Sequence, residues 1–260
     1  DIGAIIQKVM DTEYGPDLEG RLLHGRNATQ VDEALKDNMT RTFRKVLSHC
    51  NDEATTLVTT LLGRWDLFNV KTIIRAKHMK LEEEEVSDSL IAVGQLTQVD
   101  ADELLKQSDI RGVVDTLATW GLPFAVPLRE VLPQYEEEED LSLLELALDR
   151  YYYDWAAKRL RGWRENREIA RKFLAAQVDT MNLLTAIRLL NADLAEGDAS
   201  RFFLRGGTVV TEELFLELTA ACQLACRHCY AEAEARHFIP CRNCSPDAPG
   251  AADVAATRDG

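Results

Sequence analysis

The sequence contains no apolar run that approaches the roughly 18 residues of a membrane-spanning helix, so we expect no segment of it to cross a bilayer. It also has no excess of basic residues, since 44 Asp and Glu outnumber 30 Lys and Arg and give a formal charge of −14. A general nucleic-acid-binding protein needs a basic surface that displaces counterions, and this composition excludes that class. The sequence starts without a secretory signal, and we therefore predict a cytosolic location.

Cysteine is scarce over most of the chain. Only six cysteines occur, and five of them lie between Cys222 and Cys244. Cys50 stands alone, and we predict that it is an ordinary core residue. A search for metal or redox chemistry is thereby restricted to the last 40 or so residues.

The sequence also lacks any convincing period-two alternation of the kind that strands show. Apolar residues instead recur at spacings of three and four, as one face of a helix requires, for example at Leu144, Ala147, Leu148, Tyr151 and Trp155. Breaks are predicted at residues 121–123 and around Pro133. Asp140 is predicted to cap the following helix, with Glu136–Glu139 placing negative charge near that helix start.

One segment occurs twice, at residues 65–75 and 178–188. Both copies fit Asp-x-x-Asn-x-x-x-x-x-Arg, and 179 − 66, 182 − 69 and 188 − 75 all equal 113. The same offset relates further identical residues, upstream and downstream: Ala34, Leu35, Lys45, Leu47 and Gly94 match Ala147, Leu148, Lys158, Leu160 and Gly207. A period of this length fits a duplicated small domain rather than a solenoid repeat. We predict an all-α fold with two tandem homologous domains, residues 1–113 and 114–218, and an irregular Cys-rich tail at residues 219–260.

The repeated motif is predicted to be architectural. On a helical wheel Asp66 lies within an apolar stripe, and Asp179 lies within the same stripe of the second copy, which contains Leu183, Ala186, Ile187 and Leu190. Asn69 and Asn182 lie at the edge of each stripe, whereas Arg75 and Arg188 point away from it. A buried carboxylate is costly unless it is hydrogen-bonded or paired, so we expect a fixed polar contact from each Asp to a neighbouring helix.

The order and spacing of these segments resemble a known family. Residues 11–14 read Asp-Thr-Glu-Tyr, residues 93–105 and 206–218 each place Gly before a helix, and residues 136–155 combine an acidic start with Leu-rich turns and paired tyrosines. Together with the repeated motif, they resemble the central-stalk subunit of V/A-type rotary ATPases, which is the C subunit of prokaryotic complexes and the d subunit of eukaryotic ones.

That resemblance implies three helical domains arranged as a funnel, with no active site and no cofactor. The implied partners are the rotor axle and the membrane rotor ring, which the funnel couples for proton or sodium transport. The implied location is peripheral, on the cytoplasmic face of the membrane. Residues 1–218 account for two of the three domains, so we interpret the chain as truncated relative to the family.

The tail does not fit this pattern, and three interpretations of it remain open. Cys222-x₃-Cys226-x₂-Cys229 resembles the motif with which radical SAM enzymes hold a [4Fe–4S] cluster, and residues 214–218 would then form the first barrel strand. Alternatively, the two C-x-x-C pairs close a four-thiolate zinc site, which would use Cys226, Cys229, Cys241 and Cys244. The third interpretation is a segment joined by gene fusion or frameshift, without any metal function.

Overall fold

A computed structural model describes residues 2–22, 27–162, 164–190 and 198–224, and all regular structure in those residues is helical. This confirms the predicted all-α fold. None of the described helices is both long enough and apolar enough to span a membrane. The elements are α1 (Ile2–Met10), α2 (Gly15–Leu22), α3 (Ala28–His49), α4 (Asp52–Met79), α5 (Glu83–Ser87), α6 (Gln98–Leu105), α7 (Ile110–Thr119), α8 (Ala125–Glu138), α9 (Leu141–Arg159), α10 (Glu165–Leu189), a 3₁₀ turn (Asp198–Phe202) and α11 (Glu212–Leu224).

Polar side chains cap several of these helices. Asp140 was predicted to cap α9, and its Oδ1 accepts a hydrogen bond from the Ser142 amide at 2.9 Å. Thr97 and Asp100 form a reciprocal capping box at the start of α6. Such contacts satisfy amides that have no partner within the helix, so the local sequence fixes where these helices begin.

Three local predictions are corrected. Pro133 lies inside α8 and does not break it, because the proline is on the exposed side, where water can hydrate the carbonyl that loses its donor. Glu136–Glu138 end α8 and Glu139 follows in the left-handed conformation, so this acidic run does not open α9. Cys50 is only partly buried and follows the last residue of α3.

The chain divides into two compact units, Asp1–Lys172 and Phe173–Gly260. The division falls inside α10, whereas the predicted boundary between residues 113 and 114 falls inside α7. In the first unit α4 is the central helix and packs against α9, α6 and α7. Its residues Val70, Ile73 and Ile74 are completely buried, as are Leu144, Leu148 and Tyr152 of α9. The core of this unit therefore lies along the α4–α9 contact.

In the second unit α11 packs beside the 3₁₀ turn. Phe215 of α11, Ala186 of α10 and Val210 are buried together, with Phe202 and Phe203 packed against them. Of the four apolar residues in the stripe around Asp179, Ala186 is buried, whereas Leu183, Ile187 and Leu190 are exposed.

Candidate functional site

The repeated motif forms a contact that we call the clasp, made by Asp66 and Asn69 of α4 with the backbone of residues 91–96. Asp66 is buried, and its two carboxylate oxygens accept hydrogen bonds from the amides of Gln95 (2.8 Å) and Leu96 (2.9 Å). The contact is thus made to the loop that precedes α6, which corrects the prediction of a neighbouring helix. Gln95 and Leu96 precede α6, so their amides have no partner in regular structure and are satisfied by the carboxylate instead.

Asn69 completes the clasp from the next turn of α4. Its side-chain NH₂ donates to the carbonyl of Ile91 at 2.9 Å, while its Oδ1 accepts from the amide of the same residue at 2.8 Å. Asn69 is completely buried. A side-chain amide can satisfy both backbone groups of one residue in this way, so the loop is fastened at two points without any charge partner.

The second copy repeats the clasp between α10 and the loop before α11. Asp179 accepts hydrogen bonds from the amides of Thr208, Val209 and Val210 at 2.8–3.0 Å. Asn182 binds both backbone groups of Leu204, at 2.8 and 2.9 Å. Each loop contact in the first copy has a counterpart 113 positions later, since Ile91 corresponds to Leu204 and Gln95 to Thr208.

One glycine in each copy makes room for the carboxylate. A Cβ atom added to Gly94 would lie 2.2 Å from Oδ1 of Asp66, and one added to Gly207 would lie 2.1 Å from Oδ1 of Asp179. Neither distance is compatible with a side chain at that position. Neither glycine has a positive φ, so close approach of the carboxylate, not backbone conformation, explains why glycine occurs at both sites.

The two carboxylates differ in their acid strength. Burial raises the pKa of Asp66 to about 6, because the two backbone donors only partly offset the loss of hydration. Burial also acts on Asp179, but three amides and the Thr208 hydroxyl together hold the pKa of this carboxyl below its ordinary value. The two shifts differ in sign because Asp66 is more strongly desolvated and has two donors, whereas Asp179 is less desolvated and has four.

The third residue of the motif behaves differently in the two copies. Arg75 forms two hydrogen bonds to Glu145 of α9, from Nε at 2.5 Å and from Nη2 at 2.8 Å. Arg188 is exposed, and within the described part of the chain no carboxylate pairs with it. Arg75 therefore fastens α4 to α9, whereas its counterpart has no equivalent acid beside it.

A buried ion pair beside Arg75 could not be recognised from the sequence. Nζ of Lys71 lies 2.7 Å from Oδ2 of Asp149 and 3.7 Å from Oε2 of Glu145, and all three side chains are largely buried. Burial raises the pKa of Asp149 despite the nearby ammonium group, while Arg75 and Lys71 outweigh burial at Glu145 and lower its pKa. The one sign of this pair in the sequence was a charged residue, Asp149, on the apolar face of α9 that also carries Leu148 and Tyr152.

The clasp carboxylates have little capacity for chemistry, because their oxygens are occupied by backbone amides. Among the described residues, no group of three or more His, Cys, Asp or Glu side chains is placed to hold a metal ion. The clasp residues Asp66 and Asn69 join α4 to the loop before α6, and Asp179 and Asn182 join α10 to the loop before α11. The arrangement can position helices and resist their displacement.

Most of the tail predictions fall outside the described residues. Cys226, Cys229, Cys241 and Cys244 all lie beyond residue 224, and Cys222 falls within α11 near its end. The proposed barrel strand at residues 214–218 is wrong, since this segment is part of α11 and Phe215 is buried against α10. A five-residue apolar run has no period that distinguishes a strand from a helix, and packing decides the outcome here.

Comparison with known proteins places the chain in a family. Residues 1–227 match the model of the ATP synthase (C/AC39) subunit family, a match that extends past residue 218 into the predicted tail. The C subunit of the A-type ATP synthase of Haloquadratum walsbyi is 30% identical over 181 residues, which are 70% of this chain and 52% of that protein. The C subunit of the A-type ATP synthase of Halorubrum lacusprofundi is 31% identical, over 77% of this chain and 57% of its own length.

A third relative, the A-type ATP synthase C subunit of Archaeoglobus fulgidus, is 27% identical over 216 residues, 83% of this chain and 60% of that protein. The chain thus spans little more than half the length of the curated relatives it matches. The family match covers both clasps, their glycines and the helices that they join. The chain therefore belongs to the ATP synthase (C/AC39) subunit family.

Proposed function

We propose that this chain is a non-catalytic central-stalk subunit of a V/A-type rotary ATPase or ATP synthase, where it couples the rotor axle to the membrane ring. The observation that carries the proposal is the family match over residues 1–227. It is supported by the relatives in Haloquadratum walsbyi and Halorubrum lacusprofundi, which are named as C subunits of A-type ATP synthases. We assign no catalytic residue to the chain.

The clasps suit a part that transmits force. A rotor component must keep its helices in place under load, and the clasps fasten α4 and α10 through buried hydrogen bonds to backbone. Breaking buried hydrogen bonds of this kind costs free energy because the groups are left without partners, so a loop displaced from its clasp is driven back to it. In this proposal Asp66, Asn69, Asp179 and Asn182 are positioning residues of two homologous repeats, at residues 1–113 and 114–218.

The partners in this proposal are the axle subunits and the membrane rotor ring. The ring transports protons or sodium ions, and the chain binds it from the cytoplasmic side without entering the bilayer. The excess of acidic residues agrees with a protein partner rather than a nucleic acid.

An iron–sulfur or zinc function of the tail is not favoured. The family match extends to residue 227, across Cys222 and Cys226, and the segment that would begin a radical SAM barrel is helical. Both findings support a stalk-subunit fold for the start of the tail.

The proposal is tested by purifying the full chain, carrying an affinity tag, from membranes of the cells that make it. Mass spectrometry is expected to find axle and ring subunits in the eluate. Gly94→Ala, which obstructs the first clasp, is expected to reduce their recovery. Gly20→Ala is the matched control, since a Cβ added there meets no atom within 4 Å. Recovery of the tagged chain without any rotary ATPase subunit would refute the assignment.

A further inference from the structure

Three arginines surround the start of α10, and uncharged residues hold the equivalent positions at the start of α4. The two helices begin at equivalent places in the repeat, since Asp52 and Glu165 are 113 positions apart. The three pairs of equivalent residues are Arg164 and Asn51, Arg167 and Ala54, and Arg171 and Val58. Both repeats share the clasp but not these arginines, so the arginines have a role that the repeat itself does not require.

One carboxylate of α4 binds two of the arginines. Nη1 of Arg164 donates to Oε2 of Glu53, and Nε of Arg167 donates to Oε1 of the same side chain at 3.0 Å. Both oxygens of Glu53 are thus occupied, and the hydrogen bonds from the two guanidinium groups hold the pKa of this carboxyl below its ordinary value. We call the contact of Glu53 with Arg164 and Arg167 the arginine clamp.

The arginines also hold the chain that follows α9. Nη1 of Arg167 donates to the carbonyl of Arg161 at 2.6 Å, and Nη1 of Arg171 donates to the carbonyl of Gly162 at 2.7 Å. Gly162 has a φ of +135°, which residues with a side chain rarely adopt, so the chain can turn here only because a glycine is present. The clamp therefore connects three parts of the chain: the start of α4, the residues after α9 and the first turns of α10.

The clamp is exposed to competition by salt. The side chain of Arg164 is 64% exposed, although those of Glu53 and Arg167 are only 22% and 29% exposed. An ion pair with an exposed member contributes little stability, and dissolved salt screens it. Ala170, one turn after Arg167, is 5% exposed, so packing still holds α10 from this residue onward. Opening of the clamp would thus free only the first turn of α10.

We propose that the arginine clamp is a conformational device that holds the first turn of α10 at the start of α4 and releases it as the salt concentration rises. Glu53 is its positioning residue, because its carboxylate is the one group that binds both guanidinium groups. In the open state the first turn of α10 leaves Glu53, while the α4–α9 core and the first clasp stay intact. The inference rests on contacts within the first compact unit and not on the proposed function.

Limited proteolysis of the full chain by trypsin tests the clamp, because trypsin cleaves after arginine and the bonds that follow Arg161 and Arg164 lie at the clamp. Mass spectrometry quantifies the new fragments that begin at residues 162 and 165. Glu53→Gln is expected to accelerate both cleavages by roughly two- to tenfold, since two ion pairs with an exposed member are lost. Glu53 is 111 positions from Arg164 in the chain, so the substitution leaves the sequence that trypsin recognises unchanged.

Asp52→Asn is the matched control, because it removes the same charge from the same turn of α4. This variant is expected to be cleaved at the wild-type rate. Arg167→Gln, which removes one of the two pairs, is expected to accelerate the cleavages as well. The double variant of Glu53→Gln and Arg167→Gln is expected to gain less than the product of the two single effects, since both substitutions act on one contact.

Salt separates an electrostatic clamp from a role in packing. Raising the concentration of NaCl from about 50 to about 500 mM is expected to accelerate the two cleavages in the wild type and to change them little in Glu53→Gln. An unstructured arginine peptide in the same tube corrects for the effect of salt on trypsin.

Equal cleavage rates of Glu53→Gln and Asp52→Asn, or a wild-type rate that does not respond to salt, would overturn the proposal. Cleavage of Glu53→Gln inside α4, for example after Arg75, would also overturn it, because the loss of Glu53 would then open the whole unit.

Discussion

Substitution of Gly94 by alanine tests the clasp most sharply. The added Cβ would lie 2.2 Å from Oδ1 and 2.3 Å from Oδ2 of Asp66, so either the carboxylate or the loop must move. Either movement separates Asp66 from the amides of Gln95 and Leu96, which now donate to it at 2.8 and 2.9 Å. The substitution therefore leaves a buried carboxylate and two amides without partners.

The cost of this change can be bounded. A buried polar group left unsatisfied costs about 1–3 kcal/mol, and a charged group costs more. Replacing glycine also stiffens the unfolded chain, which offsets about 0.4–1 kcal/mol of the loss. We therefore expect Gly94→Ala to lower the local stability of the first clasp by about 2–4 kcal/mol. Gly20→Ala, with open space around its Cβ, is expected to change stability by at most about 1 kcal/mol.

Hydrogen exchange is the suitable assay, because the two compact units do not have to unfold together. Protection of the Leu96 amide is expected to fall by roughly 30- to 1000-fold in Gly94→Ala, from the tenfold change that accompanies each 1.4 kcal/mol. Protection of the Val210 amide, which belongs to the second clasp, is expected to stay unchanged. Gly207→Ala is expected to give the reverse pattern.

A double variant shows whether the carboxylate is the cause. If the clash with Asp66 produces the loss, Gly94→Ala is expected to cost much less in an Asp66→Ala background, because the obstructing group is gone. Unchanged protection of Leu96 in Gly94→Ala, or equal losses in both backgrounds, would refute the reasoning.

Three further outcomes are expected. Burial raises the pKa of Asp66 to about 6, so the folded chain binds more protons than the unfolded chain between about pH 4 and 6. Urea titrations are therefore expected to show that the free energy of unfolding rises as the pH falls through this range. Asp66→Asn is expected to abolish that part of the rise. The pKa of Asp179 is lowered in the folded chain, so its carboxylate stabilises the fold at pH values above the pKa of an unfolded Asp, about 4. This contribution is lost as the pH falls below about 4, and Asp179→Asn is expected to remove that pH dependence from urea titrations. Lys71→Met leaves Asp149 buried without its cation and is expected to cost about 3–5 kcal/mol in urea unfolding, whereas Arg188→Met on the exposed side of α10 is expected to change stability by less than about 0.5 kcal/mol.

The repeat was visible in the sequence because it depends on residue identity at fixed spacing. Asp66, Asn69 and Gly94 and their counterparts could be aligned without a structure, and the wheel placed both aspartates among apolar residues. The partners of the aspartates could not be predicted in the same way. They are backbone amides, and every residue except proline carries one, so no sequence signal marks residues 95 and 96 as donors.

Contacts between residues that are distant in the chain could not be predicted from the sequence either. Lys71 and Asp149 are 78 positions apart, and only the packing of α9 on α4 brings them together. On α10 the wheel identified an apolar stripe, but Leu183, Ile187 and Leu190 within it are exposed. A helical wheel shows that a face is apolar, but it cannot show whether another helix is present to bury it.

The most direct measurement of the central claim is an electron cryo-microscopy reconstruction of the rotary ATPase purified through this chain. Helical density is expected between the rotor axle and the membrane ring, and the α4–α9 contact and both clasps are expected to fit it, with Gly94 and Gly207 beside their carboxylates. An intact axle and ring joined by density that does not fit these helices, with this chain absent from the particle, would contradict the account.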